Sequence, residues 1–443
     1  LHCSSAASDV YKRQEHMNSS ELISAGLKAL PDKISSFAST QAAWRFYAND
    51  KVSLSVLQEP LTEAAHEGAK AYCNQYVLCA HDWSRISYKH ANKPDTYAIT
   101  HATDVGYDLQ SSLLLSDRNG EPFAPAAQRL VSANGSYSTY ARNPSEAEPV
   151  KMHLDELSLC IAYLEEQNFD KPLVHIIDRE GDSVGHMRQW QKAGSHWLVR
   201  AKDNPRVEYK GKAMACKQVA KHLKFKPTRT VMYHGKSAQQ WVAETSVLLT
   251  RKAKPSQKKA PKPSVAGEPV AAKLVVSRVL SDEGNILAEW LLLTNVNDVD
   301  GATIALWYYW RWKIESFFKL LKSAGHQLEA WQQESASAIA KRLLVVSMAC
   351  VTVWAIAADQ SPEAAELRVL LVKLSGRQMK RNKPVSHPAL LAGLWVFLSM
   401  LEVMDSVSPE ELRRLKTTAQ QFLGREAKVC LLYTSDAADE QWS

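Results

Sequence analysis

Residues 307–322 read WYYWRWKIESFFKLLK, a stretch in which a single carboxylate stands among cations and rings. On an α-helix at about 100° per residue, Tyr308, Arg311, Trp312, Glu315, Lys319 and Lys322 fall within an arc of roughly 100°. Trp310, Ile314, Phe317 and Leu321 land opposite, which predicts an apolar back for a core. A lone acid in such a setting suits a metal ligand held beside a polyanion. The same spacing equally describes a surface helix whose Glu pairs with Arg and Lys at i±4, worth a few tenths of a kcal/mol.

Tyr308-x2-Arg311-x3-Glu315-x6-Lys322 resembles the Tyr-Arg-Glu-Lys signature of the IS-four family of bacterial DDE transposases, the insertion-sequence group that contains the Tn-five transposase. The resemblance makes Glu315 the third acid of an Asp-Asp-Glu metal-binding triad and implies two upstream aspartates, each ending a buried strand. The apolar run at 75–80 (QYVLCA) leads through His81 to Asp82, and the run at 172–177 (PLVHII) delivers Asp178. Asp178-Arg179-Glu180-Gly181-Asp182 is similar to the family segment around the second acid. Glu180 and Asp182 compete with Asp178 as ligands but lie beyond the apolar run. Around the first acid this chain has Asp82-Trp83-Ser84 where the family often has Asp-Thr-Thr.

Further positions follow from the same resemblance. HWLVRAKDNPR resembles the strand after the second acid and makes Arg200 and Lys202 phosphate contacts. AEWLLLT resembles a family segment whose Trp stacks on a flipped base, which gives that role to Trp290, with a core tryptophan as the alternative. Tyr308, Arg311 and Lys322 would hold phosphates beside that base, and Trp312 and Lys319 share their face. The implied catalyst is Asp82, Asp178 and Glu315 with two Mg2+, Mn2+ being able to substitute. Carboxylate oxygens are the ligands such hard cations take.

Those side chains need a scaffold. The order of strand, strand pair, helix, strand, helix, strand over 75–200 suits an RNase H-like mixed sheet of the α/β class. Residues 15–72 read as helical. AAWRFYAND resembles the last part of the family's N-terminal end-binding domain, which implies a truncated DNA-binding region, with a plain helical hairpin as the alternative. Residues 73–206 read as the first part of the core. Residues 207–297 read as a β-rich insertion with a Lys/Pro-rich basic loop at 251–273. Residues 298–330 bring the core's signature helix. Residues 331–429 form a helical C-terminal region, either a dimerisation surface as in the family or an intramolecular cap.

The 443 residues are 45% hydrophobic and 23% charged with net charge +7, a globular composition mildly biased towards polyanions. Cys73, Cys79, Cys160, Cys216 and Cys350 show no C-x2-C spacing, so neither a zinc site nor a disulfide framework is expected. The apolar run at 343–358 contains Ser, Cys and Thr and is short for a bilayer, so a buried helix and no membrane partner are expected. One DNA sequence, read on its two strands, can encode both 4–14 and 430–440. The pair resembles a sequencing-library adapter, so 1–14 and 430–443 are set aside, with the natural protein beginning before Glu15 and continuing past Val429.

The expected activity is cut-and-paste DNA transposition: cleavage at transposon ends, a DNA hairpin intermediate and strand transfer. Its partners are double-stranded DNA, as transposon ends and target, and a second copy of the chain. Its place is the bacterial cytoplasm, at the nucleoid. The alternatives are an RNase H-like endonuclease without strand transfer and a non-catalytic DNA-binding regulator of transposition.

Overall fold

The computed structural model describes residues 42–422, except 89–92, 100, 102, 141–152, 234, 255–263 and 378–384. Both adapter-like ends and residues 255–263 of the basic loop lie outside the described residues. The chain divides into two compact units, Asp50–Lys319 with Gln333–Ser347, and Leu1–Asn49 with Leu320–Gln332 and Met348–Ser443.

The first unit opens with α1 (Leu54–Tyr72), N-capped by Ser53, and then β1 (Val77–Ser87). The Asp117 carboxylate accepts from the backbone N–H groups of Asn74, Gln75 and Tyr76 and so fixes where β1 begins. Next come β2 (Tyr97–Ala98), β3 (Val105–Ser116), β4 (Pro122–Ser132) and β5 (Gly135–Ser138). After α2 (His153–Glu166) follow β6 (Leu173–Ile177), α3 (Val184–Lys192) and β7 (His196–Arg200). β3 lies antiparallel to both β1 and β4, while β6 is parallel to β1 and β7 parallel to β6. The spatial order β4-β3-β1-β6-β7 is that of an RNase H-like sheet, three antiparallel strands followed by two parallel ones.

The sheet does not stop there. β8 (Arg206–Tyr209), β9 (Lys212–Ala215), α4 (Cys216–Ala220), β10 (Lys226–Tyr233), β11 (Lys236–Leu249), β12 (Val270–Leu280) and β13 (Ile286–Thr294) follow. β13 pairs antiparallel with β7, so the β-rich segment extends the core sheet to 13 strands. Its buried residues Val247, Leu249, Val270, Leu274 and Val276 join one apolar cluster with Trp190, Trp197 and Val199 of the core.

One local expectation changes. Asp82 does not end its strand: β1 runs on to Ser87, and Asp82 stands opposite Ser111 mid-ladder. Residues 83–87 continue the ladder, and Ser87 pairs with Gly106. Gly106 has no room for a side chain, since an added Cβ would lie 1.9 Å from the Ile86 carbonyl oxygen. β4, PFAPAAQRLVS, is buried throughout despite its two prolines and three alanines.

The signature stretch is not one helix. α5 (Gly301–Trp310) ends and α6 (Lys313–Leu321) begins across Arg311 and Trp312. The N–H groups of Arg311, Trp312 and Ile314 reach back three residues rather than four, so the chain winds more tightly there. Trp310 lies over Gly120 (φ +71°), where an added Cβ would fall 2.3 Å from the indole. Lys313 pairs with Glu121 at 2.7 Å. The β3–β4 turn thereby positions the break between the helices.

In the second unit, residues 42–48 are helical. α7 (Ala336–Ala358) runs through both units and is followed by α8 (Pro362–Leu374), α9 (His387–Ser406) and α10 (Pro409–Phe422). α8 and α9 approach closely at Gly393, where an added Cβ would meet the Leu371 carbonyl oxygen at 1.9 Å. By length and composition α7 and residues 387–405 could each cross a membrane, but 72% of the apolar window of α7 is buried within protein. Core helices share that property.

Candidate active site

Two strands and the helix after the break deliver the acids. β1 brings Asp82, β6 ends immediately before Asp178, and the first turn of α6 carries Glu315. Asp82 Oδ2 accepts from the Arg311 guanidinium at 2.8 Å, and its Oδ1 accepts from the Trp83 N–H at 2.9 Å. The Asp178 carboxylate accepts from the Glu180 N–H at 2.8 Å. Glu315 is in hydrogen-bonding contact with Asp82 and within electrostatic reach of Asp178 and Arg311. Positions 82, 178 and 315, remote along the chain, thus form one cluster.

The electrostatics are those of a site short of positive charge. Burial raises the proton affinity of Glu315, and contact with Asp82 raises it further. Burial likewise raises that of Asp178, opposed by the hydrogen bond from the Glu180 N–H and by Arg311, with the charge of Asp82 adding to the rise. Arg311, whose side chain is 9% exposed, answers part of this charge. Three carboxyl groups that repel one another around a single guanidinium make a donor set that fits hard divalent cations.

The other expected residues fall in different places. Tyr308 and Arg311 are buried rather than facing solvent, and Arg200 at the end of β7 acts electrostatically on Tyr308. Trp312 is 55% exposed, with the Arg311 guanidinium 5.9 Å from its ring. Lys319 is exposed on α6. Lys202 is exposed just beyond β7 and acts electrostatically on Glu180. Trp290 is half-buried against Val231, Ala238 and Val279, in a cluster it shares with Tyr309 of α5. Lys322 belongs to the second unit, where it pairs with Glu329 at 3.4 Å.

The segment after Asp178 assigns its acids to scaffolding. Asp182 has no exposed side-chain surface, accepts from the Lys202 N–H at 2.7 Å and pairs with Arg251. Glu180 bonds His153 at 3.0 Å, and the other His153 nitrogen lies 2.9 Å from Asp108. Hydrogen bonds to Asp108 and Glu180 push His153 up to about 10. Its ring stacks on Trp83, centroids 4.7 Å apart and planes at 10°. His153 went unremarked in the sequence, because nothing local joins it to positions 83, 108 and 180.

Residues 136–351 match the family model described as the transposase DDE domain. That match supports a DDE transposase. It takes in Asp178 and Glu315 and begins after Asp82. No protein of curated function matches the chain. Among solved structures, the cryo-EM structure of the piggyBac transposase synaptic complex with hairpin DNA is similar at 10% identity and a TM-score of 0.34. The alignment covers 80% of this chain and 58% of that protein's length, too distant a likeness to bear on the site.

Proposed function

We propose that this chain is a cut-and-paste transposase that cleaves double-stranded DNA at transposon ends and joins the freed ends to target DNA. The observation that carries the proposal is the convergence of Asp82, Asp178 and Glu315 around Arg311 within a chain that matches the transposase DDE domain. Two Mg2+ held by these acids, or Mn2+ in their place, would activate an attacking oxygen and stabilise the leaving one in an in-line phosphoryl transfer.

The chain's own groups orient the DNA for that reaction. Arg200, Tyr308 and Arg311 form a connected cationic and hydroxyl set suited to phosphate oxygens beside the acids. The exposed Trp312 and Lys319 and the solvent-facing Lys202 would extend that contact, with Trp290 as a stacking partner for an extruded base and Lys322 as a further phosphate contact. Water first attacks a phosphorus at the transposon end and releases a 3′-hydroxyl. That hydroxyl attacks the opposite strand and closes a hairpin. A second water reopens it, and the 3′-hydroxyl finally displaces a phosphodiester oxygen of the target. In this reading two copies of the chain hold paired ends at the bacterial nucleoid.

Pre-cut DNA ends carrying the sequences that flank the reading frame, mixed with the protein, Mg2+ and a supercoiled target, provide the test. End-joined target circles are expected. Cut DNA without joined product would instead identify an RNase H-like endonuclease. No metal-dependent reaction at all would leave a DNA-binding regulator.

A further inference from the structure

The strands that carry Asp82 and Asp178 bear a second group of ligating side chains on their other face. β1 and β6 are parallel with Cys79 opposite His175. Strand alternation puts Cys79, His81 and His175 on one face and Asp82 on the other. Ligating atoms of Cys79, His81 and His175 all lie within 4.8 Å of one another, and all three residues are fully buried.

The outer edges of the two rings are already held. His81 Nδ1 lies 2.8 Å from Ser112 Oγ, and His175 Nε2 lies 3.1 Å from Glu165 Oε1. The inner nitrogens, His81 Nε2 and His175 Nδ1, face each other at 2.9 Å beside Cys79. Metal-bound histidines are oriented in this way, the far N–H given to a carboxylate or other acceptor. Zinc bonds of about 2.0–2.1 Å to nitrogen and tetrahedral angles need inner nitrogens about 3.3 Å apart, a few tenths of an ångström wider than here.

We propose that Cys79, His81 and His175 form a binding site for a thiophilic divalent ion of the zinc class, which clamps β1 to β6 behind the catalytic carboxylates. On binding, the Cys79 S–H bond breaks, its proton leaves to solvent and a sulfur–metal bond forms, with no change of oxidation state. Burial otherwise holds the Cys79 thiol well above its usual range, so a thiolate here needs a cation beside it. The thiolate and the Glu165 carboxylate together balance two positive charges in a region where an unpaired charge would be costly. The donors are nitrogen and sulfur, so Mg2+ does not compete for them. The site stands or falls independently of the DNA chemistry.

The test uses the whole chain, stripped with chelator, reloaded with Zn2+ in excess Mg2+, desalted and analysed for metal. About one Zn2+ per chain is expected in the wild type and in Glu315→Ala, and much less in Cys79→Ser. Loading with Co2+ is expected to give a thiolate-to-metal charge-transfer band that Cys79→Ser lacks. Alkylation of Cys79 in mild denaturant, mapped by mass spectrometry on the wild type alone, is expected to slow at least tenfold with Zn2+ and needs no variant to fold. Zinc retention equal to that of Cys79→Ser, a Co2+ form without the band, or an alkylation rate indifferent to Zn2+ would overturn the proposal. The four groups would then be a hydrogen-bond chain from Ser112 to Glu165 and nothing more.

Discussion

The two faces of β1 and β6 make an instructive pair. On one, Asp82, Asp178 and Glu315 offer oxygen and crowd like charges together around the buried Arg311. On the other, Cys79, His81 and His175 offer sulfur and nitrogen, carry no exposed surface and are tied to Ser112 and Glu165. Period-two alternation lets adjacent residues, His81 and Asp82, serve opposite faces of one strand. The charged face trades stability for reactivity, because Asp178 and Glu315 are ionised only against burial and repulsion. The sealed face does the reverse, the four ring nitrogens of its two imidazoles being matched by Ser112, by each other and by Glu165.

The contrast breaks most visibly on the charged face. Asp178→Ala or Glu315→Ala is expected to lower metal-dependent strand cleavage at least ~1,000-fold, about 4 kcal/mol of transition-state stabilisation. Urea unfolding of the metal-free variants should match or exceed the wild type, since each removes a repelling carboxylate. A variant that loses activity because it unfolds would erase the distinction between the faces.

The mirror experiment is His175→Ala. It strips the partner from His81 and leaves a buried void, and is expected to cost about 2–4 kcal/mol in urea unfolding. Stability within a few tenths of a kcal/mol of wild type would show that the sealed face does not brace the strands.

How far the two faces could be read from the chain differs for a physical reason. Asp82 and Asp178 follow apolar runs and Glu315 stands in a patterned helix, but only the resemblance to the Tyr-Arg-Glu-Lys signature joined the three into one expectation. The sulfur–nitrogen cluster joins His81 to His175 across 94 positions, and a search for paired cysteines passes over it. The break at Arg311 and Trp312 was equally hidden, because helical periodicity continues through a tightened turn. That tightening leaves Arg311 bonded to Asp82 and buried, where a single helix would have turned it outward. The prolines and alanines of β4 carry little strand signal of their own, because its burial comes from tertiary contacts.

Smaller effects sharpen the picture. Mg2+ at about ten times its dissociation constant should stabilise the wild type by about 1.4 kcal/mol, measured as a shift in the urea midpoint, and should not stabilise Glu315→Ala. The smallest effect is that of His153, whose folded pKa lies above the ordinary 6.5 at about 10. Its bonds to Asp108 and Glu180 therefore stabilise the fold fully below pH 6.5, and the benefit is lost as pH rises through about 10. Unfolding curves of wild type and His153→Gln should differ most at low pH within that window and converge at its upper end. A difference that grew with pH would contradict the assignment.

Mn2+ binding followed by its paramagnetic resonance signal tests the central claim most directly, because it asks only whether three distant carboxylates share one site. The wild type is expected to bind Mn2+, and Asp82→Asn, Asp178→Ala and Glu315→Ala are each expected to weaken that binding at least tenfold. Undiminished Mn2+ affinity in a correctly folded Glu315→Ala chain would contradict it.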